Sequence, residues 1–220
     1  MIRLAALAVG LVALLGAAVT APAQAPPAPS REQSLADLGR PDVDSRRLAA
    51  AWLGDTGRME DGPALVRALR DPDVVVRALA ENSLWRVWSR SGDAEVDALF
   101  ALGVEQMSLR QGPAAVELFT RVIEKKPDFA EGWNKRATVY FLMGEYDKSL
   151  SDCDEVIKRN PAHFGALSGY GQIYLQMGEP EQALPYLERA LAVNPNMEQV
   201  ERVVEQLKDL LARQKRKDSI

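Results

Sequence analysis

The stretch "VYFLMGEYDKSL" from Val139 to Leu150 returns as "IYLQMGEPEQAL" from Ile173 to Leu184. Tyr140, Met143, Gly144, Glu145 and Leu150 recur as Tyr174, Met177, Gly178, Glu179 and Leu184, each pair 34 residues apart. Pro127, Pro161 and Pro195 keep the same interval, in "KKPD", "RNPA" and "VNPN". Proline disfavours helical geometry in the residue before it, so each of these closes a helix. Two amphipathic runs lie between successive prolines. Trp133, Ala137, Tyr140 and Gly144 step by four, three and four along one helical face, and Tyr146, Leu150, Cys153 and Ile157 do so on the next. Gly144 falls between the runs, where a tight turn needs it. The repeating unit is a helix, a turn and an antiparallel helix, and a chain that repeats such a unit folds as a solenoid.

The pattern resembles the tetratricopeptide repeat. The family's signature of large and small residues falls on Trp133, Ala137, Tyr140, Gly144, Ser149 and Pro161 in a unit at 129–162. In the next, at 163–196, it falls on Leu167, Gly171, Tyr174, Gly178, Ala183, Leu187, Ala190 and Pro195. A first unit at 94–128 matches at Leu99, Leu102, Gly103, Ala115, Phe119 and Pro127, but has Gln106 for the usual Tyr, and Gly112 comes two residues late. Its inter-helix turn is therefore expected to be irregular. Small residues let paired helices approach, and aromatic ones fill the holes beside them. Cys153 stands where the family has Phe and reads as a small buried hydrophobe. Thiol or metal chemistry wants a cluster, and the chain has one Cys and one His, His163. Residues 197–220 form a capping helix, with Val200, Val203, Val204, Leu207, Leu210 and Leu211 on one side, and a basic tail, "RQKRKDSI".

Residues 31–93 repeat at a different interval. "RPDVDSRRLAAAWL" (Arg40 to Leu53) aligns with "DPDVVVRALAENSL" (Asp71 to Leu84), 31 residues apart. Each copy reads as a helix start, with Pro and Asp at the positive end and an apolar face behind. The pattern resembles short HEAT-like repeats, which implies that Arg46 and Arg77 tie neighbouring turns by bonding acidic or carbonyl groups. Trp52, Trp85 and Trp88 read as core and junction residues. Only "SRSGD" (Ser89 to Asp93) separates this segment from the first 34-residue unit. The helix around Trp85 is thus expected to pack directly on that unit. The chain as a whole is expected to be an all-α solenoid of stacked antiparallel helix pairs with a C-terminal capping helix.

At the other end, Arg3 precedes the uninterrupted apolar run "LAALAVGLVALLGAAV" (Leu4 to Val19), followed by small-x-small sites at Ala21–Ala23 and Ala23–Ala25. This reads as a signal peptide over 1–23, with a Pro-rich linker at 24–30. Cleavage after Ala25 would leave Pro26 next, which favours a cut after Ala23. At about 16 residues the run is short of the ~20 that span a membrane. The expected location is exported and periplasmic; the alternative is an inner-membrane protein anchored by an uncleaved N-terminal helix, and only that alternative involves a membrane.

The formal net charge is −4 with mixed signs, which gives no basic stripe for nucleic acid. No metalloprotease, nucleophile-elbow, P-loop or dinucleotide motif occurs, and the sequence points to no catalytic residue, metal or cofactor. The expected activity is non-enzymatic binding of a protein or peptide. The family resemblance implies that the second, fifth, ninth and twelfth positions of the frame face the inner side of the solenoid. They include Phe100, Val104 and Met107, then Asn134, Thr138 and Phe141, then Ser168, Gln172 and Leu175. Members that clamp a C-terminal carboxylate place Lys and Asn where this chain has Phe100 and Val104, which favours a segment with apolar anchors. The alternative is a structural adaptor that docks to an envelope complex through its convex face or basic tail.

Overall fold

The computed structural model describes residues 29–218. The expected signal peptide at 1–23 and most of the expected linker at 24–30 lie outside the described residues. Every element within them is helical. The N-terminal segment contains α1 (Arg31–Asp37), α2 (Val43–Thr56), a 3₁₀ turn (Met59–Asp61), α3 (Gly62–Ala68) and α4 (Val74–Trp88). Three helix pairs follow: α5 (Ala94–Ser108) with α6 (Gly112–Lys125), α7 (Ala130–Leu142) with α8 (Tyr146–Arg159), and α9 (Phe164–Gln176) with α10 (Pro180–Val193). A 21-residue helix, α11 (Glu198–Asp218), closes the array.

The repeated residues set these boundaries. Lys126, Asn160 and Asn194, each just before a proline, leave the helical region (ψ 77°, 86° and 97°) and end α6, α8 and α10. Gly144 and Gly178 turn the chain at φ 76° and 78°, where Glu145 N–H bonds the Tyr140 carbonyl at 2.9 Å and Glu179 N–H bonds that of Tyr174 at 2.8 Å. The first unit's turn was expected to be irregular, and it is not. Arg110 takes the same left-handed conformation (φ 58°), and Gln111 N–H bonds the Gln106 carbonyl at 2.9 Å. Backbone bonding imposes the same turn on all three units, and Arg110 bears the strain that glycine avoids elsewhere.

Within each pair a small residue on the first helix lets the second approach. A Cβ on Gly103 would lie 2.6 Å from the Phe119 ring, and one on Gly171 would lie 2.3 Å from Leu187. In the middle pair these positions hold Ala137 and Cys153, both buried. The first helix gains a methyl where its partner loses a ring. Ser149 Oγ donates to the Ala137 carbonyl at 2.8 Å in the dry interior. Between pairs, Arg136 forks onto Asp152 with two 2.8 Å bonds and donates to Thr120 Oγ1 at 2.9 Å, which joins α6, α7 and α8.

The N-terminal segment repeats its own joints. Asp42 and Asp73 cap α2 and α4 by accepting from Ser45 N at 2.7 Å and Val76 N at 3.0 Å. Arg46 bonds the Arg40 and Pro41 carbonyls and forks onto Asp71, while Arg77 bonds the Asp71 and Pro72 carbonyls and reaches Asn196 at 2.8 Å. Asn196, in the turn before α11, thus takes for Arg77 the role that Asp71 takes for Arg46.

That joint overturns the expected path of the chain. α4 does not stack on α5. Its tryptophans pack on the start of α9, where Trp88 stacks on His163 (4.5 Å between centroids) and Trp85 meets Phe164 edge-on at 5.1 Å. One core joins Leu53, Leu65, Leu69, Leu84, Val87 and Trp88 to Phe164, with Val193 and Met197 against it. Arg70 donates to the Val193 carbonyl at 3.1 Å and also to that of Ala192. The reason lies in α5, which exposes Glu105 where α7 and α9 bury Val139 and Ile173. α5 places that charge within its stacking face, whereas Gly165 of α9 admits the tryptophan: a Cβ there would lie 2.4 Å from Trp85.

Gly171→Leu should therefore destabilise the protein by at least ~1–3 kcal/mol through overpacking against Leu187. Cys153→Ala, which only trims a small buried group, should cost about 1 kcal/mol or less. Thermal melts of the two variants compare them directly, and equal losses would mean that the repeat frame is misplaced.

Candidate functional site

The first helices of the three pairs, α5, α7 and α9, stand side by side and form the inner face. Its residues have different fates. Phe100 is 7% exposed, with its ring 5.8 Å from that of Phe119 and 5.4 Å from that of Phe129. It belongs to the core of the first pair and presents no ring to a ligand, which corrects its assignment as a groove anchor. Val104 and Met107 pack against the same cluster. Met107 also borders a separate opening of about 460 Å³ with Arg110, Gly112, Pro113, Val139, Leu142 and Met143. Leu175 packs with Leu187, Val204 and Leu207 beneath α11, and Ser168 is buried with its Oγ 3.3 Å from Gln172 Nε2. These two are likewise not free to anchor a ligand.

Four of the nine expected residues converge. Asn134, Thr138 and Phe141 from α7 and Gln172 from α9 line one cavity of about 140 Å³. Ala137, Ser149, Cys153, Gly165, Ala166, Gly169 and Ile173 complete its wall. The cavity has a physical origin in the repeat. Phe119 and Leu187 fill the corresponding position in the outer pairs, whereas Cys153 leaves room in the middle one. Gly169 keeps that room open, since a Cβ there would meet no atom within 4 Å. Thr138 Oγ1 is held by the Asn134 carbonyl at 2.9 Å, and Asn134 Nδ2 donates to Glu131 at 3.1 Å. No lining side chain carries a charge. Burial pushes the Cys153 thiol up to about 12, with Asp152 and Asp154 adding to the effect, so it stays protonated and unreactive.

The sequence reading missed Cys153, Gly169 and Ile173 as lining residues. The signal available was α9 itself, "FGALSGYGQIYLQ", which carries three glycines where the repeat frame needs one. Gly171 serves the helix contact, Gly165 admits Trp85, and Gly169 borders empty space.

Below the cavity the inner face is sealed by the N-terminal segment. Glu131, at the second frame position of α7, is fully buried. His163 Nδ1 accepts from Ala166 N at 3.0 Å and thereby caps α9, so Nε2 carries the proton and donates to Glu131 Oε2 at 2.9 Å. Lys135 Nζ lies 3.0 Å from Oε1 in ion-pair contact but out of hydrogen-bond alignment, and 6.0 Å from the Trp85 ring centroid. Burial drives the Glu131 carboxyl upward, but the His163 bond and the Lys135 charge outweigh it and hold the group below its ordinary value.

With the geometry in view, the array defines a class: short helices packed onto three close-packed helix pairs with a C-terminal cap. The tetratricopeptide repeat family model matches residues 128–196. A TPR repeat-containing protein of Rhizobium etli is 36% identical over 143 residues, covering 65% of this chain and 69% of that protein. The chain belongs to the tetratricopeptide repeat family. Its fold is similar to the first TPR domain of Spaghetti bound to an HSP90 peptide, at a TM-score of 0.52 and 21% identity over 55% of this chain and 96% of that one. It is also similar to the Yersinia enterocolitica type III secretion chaperone SycD in complex with a peptide of the translocator YopD, at a TM-score of 0.51 and 16% identity over 54% and 97% of the two chains.

Because the Glu131 value is depressed on folding, its contribution to stability is complete above the ordinary value of 4.5 and is lost as pH falls through the folded-state value. Glu131→Gln should cost ~1–3 kcal/mol at neutral pH, and the difference from wild type should shrink on acidification. Denaturant titrations at several pH values measure this, and a difference independent of pH would contradict it.

Proposed function

We propose that the protein is a non-enzymatic interaction module of the bacterial cell envelope, which holds an apolar side chain of a partner's segment in the cavity between α7 and α9. The observation that carries this reading is the cavity's construction. Ala137, Phe141, Cys153 and Ile173 give it an apolar floor, and Asn134, Thr138 and Gln172 give it an uncharged polar lip. Such a site seats one apolar anchor and offers hydrogen bonds to the backbone on either side. The peptides bound by Spaghetti and SycD make a peptide ligand the natural comparison. A C-terminal carboxylate fits this chain poorly, because Phe100 is spent on the core and no cation lines the cavity. The envelope location rests on the charged start, the short apolar run and the small-x-small sites of the leader. N-terminal sequencing that found Met1 intact would replace it with the anchored alternative.

Gly169→Leu tests the site cleanly. The new side chain enters open space, and a helix interior favours Leu over Gly by up to ~1 kcal/mol, so stability should hold or rise. Filling the cavity should remove ~1–4 kcal/mol of partner binding, and moderate salt should change wild-type binding little. Crosslinked pull-downs from the exported fraction should recover the partner with wild type and lose it with Gly169→Leu. Retention by that variant, with release on deletion of Arg213 to Ile220, would assign binding to the basic tail instead.

A further inference from the structure

The three pairs can be compared position by position on the side that faces the preceding pair. On α7, Gly132, Arg136 and Val139 pack onto α6; on α9, Ala166, Tyr170 and Ile173 occupy the same positions against α8. The corresponding residues of α5 are Ala98, Leu102 and Glu105, and all three are exposed. Leu102 is 48% exposed and Leu109, one turn beyond Glu105, is 58% exposed. The stacking face of α5 is therefore present but uncovered, because the N-terminal segment has packed on α9. The opposite end of the array is closed: α11 lies on α10 with Val204 and Leu207 against Ala183 and Leu187.

We infer that a second copy of this chain covers α5, in a two-fold symmetric dimer with the two α5 helices antiparallel. The closed far end excludes head-to-tail stacking of copies, so an assembly through α5 has to close on itself. The charges fit that arrangement. The start of α5 is acidic: Glu95 pairs with Lys125 of the same chain at 2.8 Å yet stays 72% exposed on its side chain, and the helix is followed by Arg110, whose side chain makes no ion pair among the described residues. An antiparallel crossing centred on Leu102 brings each Arg110 beside Glu95 of the second copy, twice by symmetry. Ala98 and Ala101 keep the crossing close, and Leu102 meets its own counterpart at the axis.

Sedimentation equilibrium of the protein as isolated from the cell tests this. Wild type should dimerise, and Leu102→Glu should raise the dissociation constant by about thirtyfold or more while helicity is retained. A residue on a two-fold axis crosslinks to itself. Under mild oxidation Leu102→Cys should therefore form a covalent dimer, whereas Leu48→Cys, at a site 57% exposed on the N-terminal segment, should not. A wild-type monomer at every concentration, a dimer indifferent to Leu102→Glu, or Leu102→Cys crosslinking no faster than Leu48→Cys would each overturn the inference. The cysteine pair decides the matter even if Leu102→Glu misfolds.

Discussion

The array depends on one constraint: the distance at which the two helices of a pair pass each other. That distance is set by the residues at Gly103, Ala137 and Gly171 and those facing them, Phe119, Cys153 and Leu187. The outer pairs use no side chain against a large one, and the middle pair uses a methyl against a thiol. Interiors packed like crystals tolerate either solution but not a mixture of the two. The middle solution leaves space on the inner face, so the cavity follows from the way one pair meets its packing constraint. Structure and candidate function rest on the same pair of residues.

A second dependence runs through His163. Its ring caps α9, hydrogen-bonds Glu131 of α7 and lies under Trp88 of α4, so three elements far apart in sequence meet on one imidazole. None of these groups meets water. An imidazole that accepts at Nδ1 and donates from Nε2 satisfies both polar contacts at once. The joint between the N-terminal segment and the repeats is therefore a packed core with a polar centre. It fixes which part of the inner face is sealed and which remains open.

The helix pairs were legible in the sequence because every rule there is local. The prolines and turn glycines act within a few residues, the small–large contacts lie within one helix pair, and Arg46 and Arg77 bond carbonyls five and six residues before them. The destination of α4 was not legible. Proximity in sequence favoured α5, and the deciding facts were an exposed Glu105 on one side and the missing Cβ of Gly165 on the other. Phe100 misled for a related reason: a frame position assigns a direction, but a ring that reaches both Phe119 and Phe129 is drawn into the core. Asn134, Thr138, Phe141 and Gln172, expected on the inner face, line a cavity that Cys153 also borders, a residue that the sequence marked only as a departure.

The account's central claim is that residues 137 and 153 are complementary, and a double-mutant cycle in denaturant measures that coupling. Cys153→Phe alone should overpack against Ala137 and lose ~1–3 kcal/mol, and Ala137→Gly alone should lose ~0.5–1 kcal/mol. Together they recreate the combination of the first pair, and the double variant should regain at least ~1 kcal/mol relative to the sum of the single losses. Strictly additive losses would show that the two side chains do not set the helix spacing, and the physical origin assigned to the cavity would fail with them.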